Sequence, residues 1–376
     1  MKKIVIDARF FGPSHTGLGR YTQSLISAIY SNPSKYDFTL LSSPSQTRTL
    51  KKLFPKFQVI SVKAKHYTFI EQITVPRILK KLKPDLVHFL HFNVPITYSK
   101  PFIVTIHDLI KHHSKGLATT THWPMIYPIK RFGYRLTIDH AIKASKIICT
   151  PSEWVKKDIL SFYSLKPSKI KVTLEAAQQD FFKPTSTKPN DLIPDKPYLV
   201  FTGNAYPHKN LVQLIKAVQA YRLKSKQDLQ LIIITAKDAF YQRLRVQANK
   251  LEALNFLKIK GYSTDQQIQS LYHHSLAFIT PSLQEGFGLP GLEAMASKTI
   301  VLSSDKSCLP EIYQQAAHYF DPQNIDSIVK AITWANKLTP LKRQQIIKTN
   351  YLYAQQFSWE KTAQETLKAY ETLLCL

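Results

Sequence analysis

Two carboxylates, Glu285 and Glu293, bracket the segment Gly286-Phe287-Gly288-Leu289-Pro290. An apolar run from Leu276 to Thr280 precedes it and reads as a buried parallel strand. Pro290 suits the first turn of a helix, where its missing N–H costs nothing. The segment therefore reads strand, glycine loop, helix. Free amides at a helix start favour an anion, and the glutamates can accept hydrogen bonds from hydroxyl groups. Donors for a phosphate and acceptors for a sugar in one place are what a sugar nucleotide needs. The plainer alternative is a tight connection with Glu293 as a solvated first-turn carboxylate.

Other loops after apolar runs carry residues of similar promise. After Tyr198–Thr202 comes Gly203-Asn204-Ala205-Tyr206-Pro207-His208-Lys209-Asn210. Asn210 is a good N-cap. Lys209, just before it, could neutralise a diphosphate leaving group without a metal. After Phe102–Ile106 comes His107-Asp108, where His107 could donate a hydrogen bond to a substrate hydroxyl. Gly261-Tyr262 follows another strand and could edge a nucleobase pocket.

After the first strand, Gly12 leads to Gly17-Leu18-Gly19-Arg20-Tyr21. The Walker pattern fails because Leu18 and Gly19 stand where Lys-Ser/Thr is needed. The dinucleotide fingerprint fails because Thr22 stands where a third small residue is needed. What survives is a flexible glycine loop at a helix start. His88, His91, His112 and His113, with His107 and Asp108, raise the idea of a metal centre. None matches a His-Glu-x-x-His or Cys/His spacing, so no metal is expected.

The elements that must position these residues alternate along the whole chain. Strands are predicted at Lys3–Ile6, Phe38–Leu41, Gln58–Val62, Leu86–Phe89, Phe102–Ile106 and Lys146–Thr150, then at Tyr198–Thr202, Leu229–Thr235, Leu257–Lys260, Leu276–Thr280 and Thr299–Ser303. Helix-length amphipathic segments lie between them, including Arg20–Tyr30, Thr74–Lys81, Tyr127–Ala144, Asn210–Lys224 and Leu289–Ala296. Repeated strand–helix units imply parallel sheets covered on both faces. A Pro- and polar-rich stretch from Lys183 to Pro197 reads as a linker. The expected organisation is α/β, with one doubly wound domain over 1–185 and another over 190–356. A final helix, 357–376, could pack on either. Ligands in such sheets sit at the carboxyl ends of the strands.

Composition narrows the class. The chain has 376 residues, 44% hydrophobic and 11% aromatic, enough for two packed cores. No apolar run reaches the roughly 18 residues of a spanning helix, and Asp7 and Arg9 interrupt the start too early for a signal peptide. Cys149, Cys308 and Cys375 form no disulfide or metal pattern, which suits a reducing cytoplasm. The net charge is +26, and it is uneven. Residues 1–188 hold 30 Lys/Arg against 10 Asp/Glu, whereas residues 189–376 hold 21 against 15. The strongly basic half points to an anionic surface, such as the inner face of the cell membrane. Nucleic acid is disfavoured because no DNA- or RNA-binding module is present.

Together these motifs resemble the retaining GT-B glycosyltransferases of family 4. The resemblance runs from Asp7 to Trp359. It rests on Gly17-Leu-Gly-Arg-Tyr21, Thr105-Ile-His-Asp108, Gly203-Asn-x-x-Pro-His-Lys-Asn-Leu211, the spacing of Glu285 and Glu293, Leu309-Pro-Glu311 and Phe357-Ser-Trp-Glu360. It implies two Rossmann-like domains facing a cleft, with the nucleotide sugar held by the second. It implies a mannosyltransferase-like enzyme that moves a hexose, mannose or glucose, to a lipid-linked or glycan acceptor, with no metal and no cofactor beyond the donor. Glu293 would bond the ribose, and Glu285 the donor sugar beside the amides of Gly286, Phe287, Gly288 and Leu289. Lys209 would clamp the diphosphate, and His107 would contact the sugar near the reacting carbon. Gly17 and Gly19 would face the diphosphate, with Arg20, His91 and Asp108 on the acceptor side. Gly203, Asn204, Gly261 and Tyr262 would complete the donor site. The C-terminal helix would cross back to the first domain. An epimerase or phosphorylase on the same fold is the alternative.

Two departures stand out. Many relatives pair an arginine with the lysine on the diphosphate, whereas Asn204-Ala205-Tyr206 offers none; His208 or Arg20 would have to compensate. Leu174-Glu175-Ala176-Ala177 replaces a common Pro-Asn-Gly turn, for which the sequence alone supplies no reason.

Overall fold

A computed structural model describes residues 1–12, 15–32, 35–113, 126–184 and 193–374. Part of the predicted linker, 185–192, and the last two residues lie outside this set. The chain divides into two units. Of the described residues, the first takes in those within 1–109, 126–175 and 358–374; the second takes in 176–184 and 193–357 together with the short helix Ile110–His113.

The first unit holds a seven-stranded parallel sheet. Its strands are β1 (Lys2–Asp7), β2 (Tyr36–Ser42), β3 (Gln58–Ser61), β4 (Leu86–Phe89), β5 (Phe102–Thr105), β6 (Ile147–Thr150) and β7 (Ile170–Val172), in the spatial order β3-β2-β1-β4-β5-β6-β7. The second unit holds a six-stranded parallel sheet of β8 (Tyr198–Thr202), β9 (Gln230–Ile234), β10 (Leu257–Lys260), β11 (Ala277–Thr280), β12 (Val301–Ser304) and β13 (His318–Phe320), ordered β10-β9-β8-β11-β12-β13. The central strands β4, β5, β6, β8, β9 and β11 are buried along their whole length. That is why they read as continuous apolar runs rather than alternating ones. Two of the edge strands, β7 and β13, escape such a reading. They are three residues each, Ile-Lys-Val and His-Tyr-Phe, too short and too mixed to form a run.

Each sheet reverses its winding once, between β1 and β4 in the first unit and between β8 and β11 in the second. Loops at the carboxyl ends of such a pair diverge to opposite faces and leave a crevice for a ligand. The residues after β1, β4, β8 and β11 are therefore the ones the topology favours for binding.

The helix Trp359–Leu374 packs against the helix Thr16–Ser31 in the first unit. Its Tyr370 reaches the centre of that unit, where the hydroxyl lies 2.7 Å from His88 Nδ1. His88 Nε2 lies 2.9 Å from Thr105 Oγ1, and the Tyr21 hydroxyl lies 3.1 Å from the same oxygen. Burial, reinforced by the charge of His107, takes His88 down to a pKa of about 3, so the ring is neutral. The unit boundary falls before Ala176, earlier than the polar stretch suggests. Gln269 explains this: its Nε2 donates to the carbonyls of Asp180, Phe181 and Lys183, binding residues 180–183 to the second unit.

Candidate functional site

Lys209 follows β8, and Glu285 follows β11, the two strands that flank the reversal of the second sheet. Their loops are tied by a backbone bond from Leu283 N to His208 O at 2.8 Å. The Lys209 ammonium meets Glu285 Oε1 at 2.5 Å, with the two side chains 17% and 16% exposed. Ser282 Oγ donates to the same oxygen at 2.7 Å, and Ser307 Oγ accepts from the Glu285 amide at 3.1 Å. Burial pushes the Glu285 carboxyl up, but the Lys209 charge and hydrogen bond, with His208 and Ser282, outweigh it and hold the group below the usual range. The carboxylate is therefore ionised and fixed in direction.

Gly286 to Gly288 then turn the chain into the helix Leu289–Ala296, with Pro290 in its first turn as the sequence predicts. Gly288 sits at φ +96°, a left-handed conformation. Tyr313 packs flush beneath the turn and donates to Gly288 O at 2.5 Å. A Cβ on Gly291 would lie 2.3 Å from Tyr313 Cζ, so both glycines are required by this close approach. The helix start offers its first amides without a side-chain cap. Glu293 lies in the second turn and is buried, with Ser297 bonded to its carbonyl. Phe287 is buried edge-on to Phe357, so this residue offers its backbone rather than its ring.

A second cluster lies at the carboxyl ends of β4, β5 and β7 in the first unit. His107 Nδ1 stands 3.3 Å from Glu175 Oε1, and its Nε2 stands 3.0 Å from Leu90 O. The Tyr21 ring meets the imidazole edge-on at 4.5 Å. Burial pulls His107 down, but Glu175, the Leu90 carbonyl and Asp108 together raise it above its ordinary value.

Comparison with known proteins adds the decisive observation. The pattern of Glycosyltransferase Family 4 matches residues 15–173, and that of Glycosyl transferases group 1 matches residues 182–353. The chain is a member of this glycosyltransferase family. It is 26% identical over 309 residues to O-antigen chain mannosyltransferase B of Escherichia coli, covering 78% of this chain and 76% of that one. It is 27% identical over 256 residues to O-antigen chain mannosyltransferase RfbU of Salmonella typhimurium, covering 63% and 69%. The sucrose-phosphate synthase structure from Thermosynechococcus elongatus superposes with a TM-score of 0.77 at 17% identity, covering all of both chains. WaaG, a glycosyltransferase involved in lipopolysaccharide biosynthesis, superposes with a TM-score of 0.71 at 16% identity, again over both whole chains. The fold is GT-B.

In this glycosyltransferase the remaining predicted site residues fall as follows. Gly17, Gly19 and Arg20 are not in a flexible loop; they lie in the first turns of the helix Thr16–Ser31. Gly19 is glycine because a Cβ would meet Gly12 O at 2.0 Å, whereas a Cβ on Gly17 would meet nothing within 4 Å. Gly203 bonds through its amide to Ile234 O, prolonging the β8–β9 ladder, and Asn204 follows it. Asn210 does not cap the helix Leu211–Ser225 with its side chain. It sits at φ +57° and donates instead to Pro322 O at 2.7 Å. Gly261 packs on the Lys237 side chain, and Tyr262 beside it is 76% exposed. Asp108 is half-buried next to His107. His91 Nε2 lies 2.9 Å from the Tyr67 hydroxyl. His88, His91 and His107 thus have separate hydrogen-bond partners. Among the described residues no group of three or more His, Cys, Asp or Glu is arranged to hold a metal ion.

Sequence reasoning missed Glu175, Ser282 and Ser307 as partners. It also missed a buried ionic cluster after β1. Arg9 bonds Asp7 through Nε at 2.7 Å and Nη2 at 2.6 Å, and its Nη1 lies 2.7 Å from Glu71. Glu71 also accepts from the Tyr67 amide at 2.8 Å and from Asn93 Nδ2 at 2.7 Å. The cluster ties the loops after β1, β3 and β4 together. A charged pair two residues apart at a strand end, Asp7 and Arg9, is the signal that could have revealed it.

Proposed function

We propose that this enzyme transfers a hexose, mannose before glucose, from a nucleoside diphosphate sugar to a lipid-linked or glycan acceptor, with retention at the anomeric carbon and without a metal. The Lys209–Glu285 pair at the mouth of an open helix start carries this reading. Lys209 and the helix amides supply positive potential for the diphosphate as it departs. Glu285, ionised and aimed by Ser282, accepts from hydroxyls of the sugar. Its oxygen is held by a cation and a hydroxyl, which suits an orienting group rather than a nucleophile, so the acceptor attacks from the face the diphosphate leaves. A structural neighbour, Anabaena HepE, was solved with UDP and glucose, which supports a nucleotide-sugar donor on this fold. The O-antigen mannosyltransferases named above support mannose and a glycan acceptor.

The acceptor's lipid is read from the helix Phe69–Leu82. Its inner face buries Glu71, Val75 and Leu79. Its outer face exposes Phe69 (80%) and Ile70 (65%) at the start, with Ile73, and then Arg77, Lys80 and Lys81. Ile96, also exposed, is held beside this helix by a bond from its amide to Gln72 Oε1 at 2.8 Å. Apolar side chains beside exposed cations form an interfacial surface for anionic lipid. Among the described residues no helix is long and apolar enough to cross a membrane. The protein is expected to float with vesicles containing anionic lipid at low salt and to be released at high salt. The double variant Phe69→Asp, Ile70→Glu should weaken partition onto the vesicles by about a hundredfold or more, each buried apolar group being worth roughly 1.5–3 kcal/mol, and leave transfer to a water-soluble acceptor unchanged. Equal binding of wild type to neutral vesicles would remove the lipid reading.

The donor is tested by thermal shift and product analysis together. A GDP- or UDP-hexose should raise the melting temperature in proportion to occupancy, and the glycoside formed should keep the donor's anomeric configuration. An inverted product would overturn the retaining mechanism.

A further inference from the structure

His107 is flanked on both nitrogens by acceptors. Leu90 O is a carbonyl and can only accept, so Nε2 carries a proton. Nδ1 faces Glu175 Oε1 at 3.3 Å, and a lone pair there would oppose a carboxylate, so a proton lies between them as well. A carboxylate is ordinarily the weaker base of the two, so that proton rests on the ring. The other titratable groups facing this imidazole are Asp108 beside it, His88 on β4, His91 after β4 and Tyr21 on the helix Thr16–Ser31. His88 is neutral and bonded to Tyr370 and Thr105, and the Tyr21 hydroxyl is turned to Thr105. Neither competes for the His107 protons.

We propose that Glu175 is a positioning residue that holds His107 as an imidazolium, so that His107 presents bound substrate with a ring of fixed orientation and fixed positive charge. The side chain is 19% exposed, so part of the charged ring is open to a ligand. It also gives Leu174-Glu175-Ala176-Ala177 a purpose. The turn after β7 places a carboxylate under β5 where a Pro-Asn-Gly turn would bring an amide side chain.

The kinetic half of this proposal rests on the transferase reading above; the protonation half does not. Two-bond 1H–15N spectra of the full chain labelled in histidine, with the His107 signal assigned by its loss in His107→Gln, report the ring state directly. At pH 7.5 wild type should show both nitrogens protonated. Glu175→Gln, nearly isosteric, should show a neutral ring protonated on Nε2, with an unchanged melting temperature. A neutral single tautomer in wild type, or identical spectra in the two proteins, overturns the proposal. In parallel, the alkaline limb of kcat/KM should move to lower pH in Glu175→Gln, each unit of movement being about tenfold in rate at a fixed alkaline pH. Coincident pH profiles would overturn the assigned role in transfer.

Discussion

Lys209→Ala is expected to lower kcat for sugar transfer by about 10²–10³, the loss found when one preorganised group is removed from a developing negative charge. The ammonium is nearly buried beside Glu285, where charge interactions are far less screened than in water. Its effect should concentrate in kcat, because charge on the diphosphate grows as the glycosidic bond breaks and a group that favours the transition state over the ground state acts there. Alanine also leaves the Glu285 carboxylate without its cation, so the folded state must be checked by melting. Glu285→Gln provides the partner measurement. It keeps the shape and the bond from Ser282, and it removes the negative charge. If the two residues act as a unit, the double variant should be scarcely slower than the worse single one. Turnover within about threefold of wild type in a folded Lys209→Ala protein would be incompatible with the mechanism.

The largest stability effect is expected at Arg9. This side chain is 1% exposed, and its guanidinium bridges two buried carboxylates, Asp7 and Glu71. Arg9→Met should cost about 3–5 kcal/mol, because two buried charges lose their shared counter-charge. The pH dependence should also change sign. In wild type, burial raises both carboxyls, but Arg9 for Asp7, and His66, Arg9 and Asn93 for Glu71, outweigh it and leave both below their ordinary values. A depressed carboxylate contributes stability above its unfolded value and loses it as pH falls through the folded one. In Arg9→Met burial dominates, both groups are pushed up, and stability should recover as pH falls from 7 towards 5. Urea unfolding at those two pH values distinguishes the cases. A variant that weakens in parallel with wild type on acidification would show that the cluster is not held by its charges.

Much of the second unit's site was legible before its coordinates. Gly288 and Pro290 are local signals: one permits a left-handed turn and the other a helix start, and both act within a few residues. Partners distant along the chain were not legible. Ser307 lies 22 residues from Glu285, and Glu175 lies 68 from His107. Asn210 was misread because its side chain finds Pro322 O, 112 residues away, in place of the neighbouring amides.

By itself the sequence determined the alternation of apolar strands and amphipathic helices, the two-unit organisation and the glycine turns, all of which depend on neighbours a few positions apart. Only the tertiary structure decided that β11 lies beside β8, so that Glu285 meets Lys209, and that β7 closes the first sheet, so that Glu175 lies against His107. Strand order depends on which surfaces bury one another across the chain, and a buried strand looks much the same beside any neighbour.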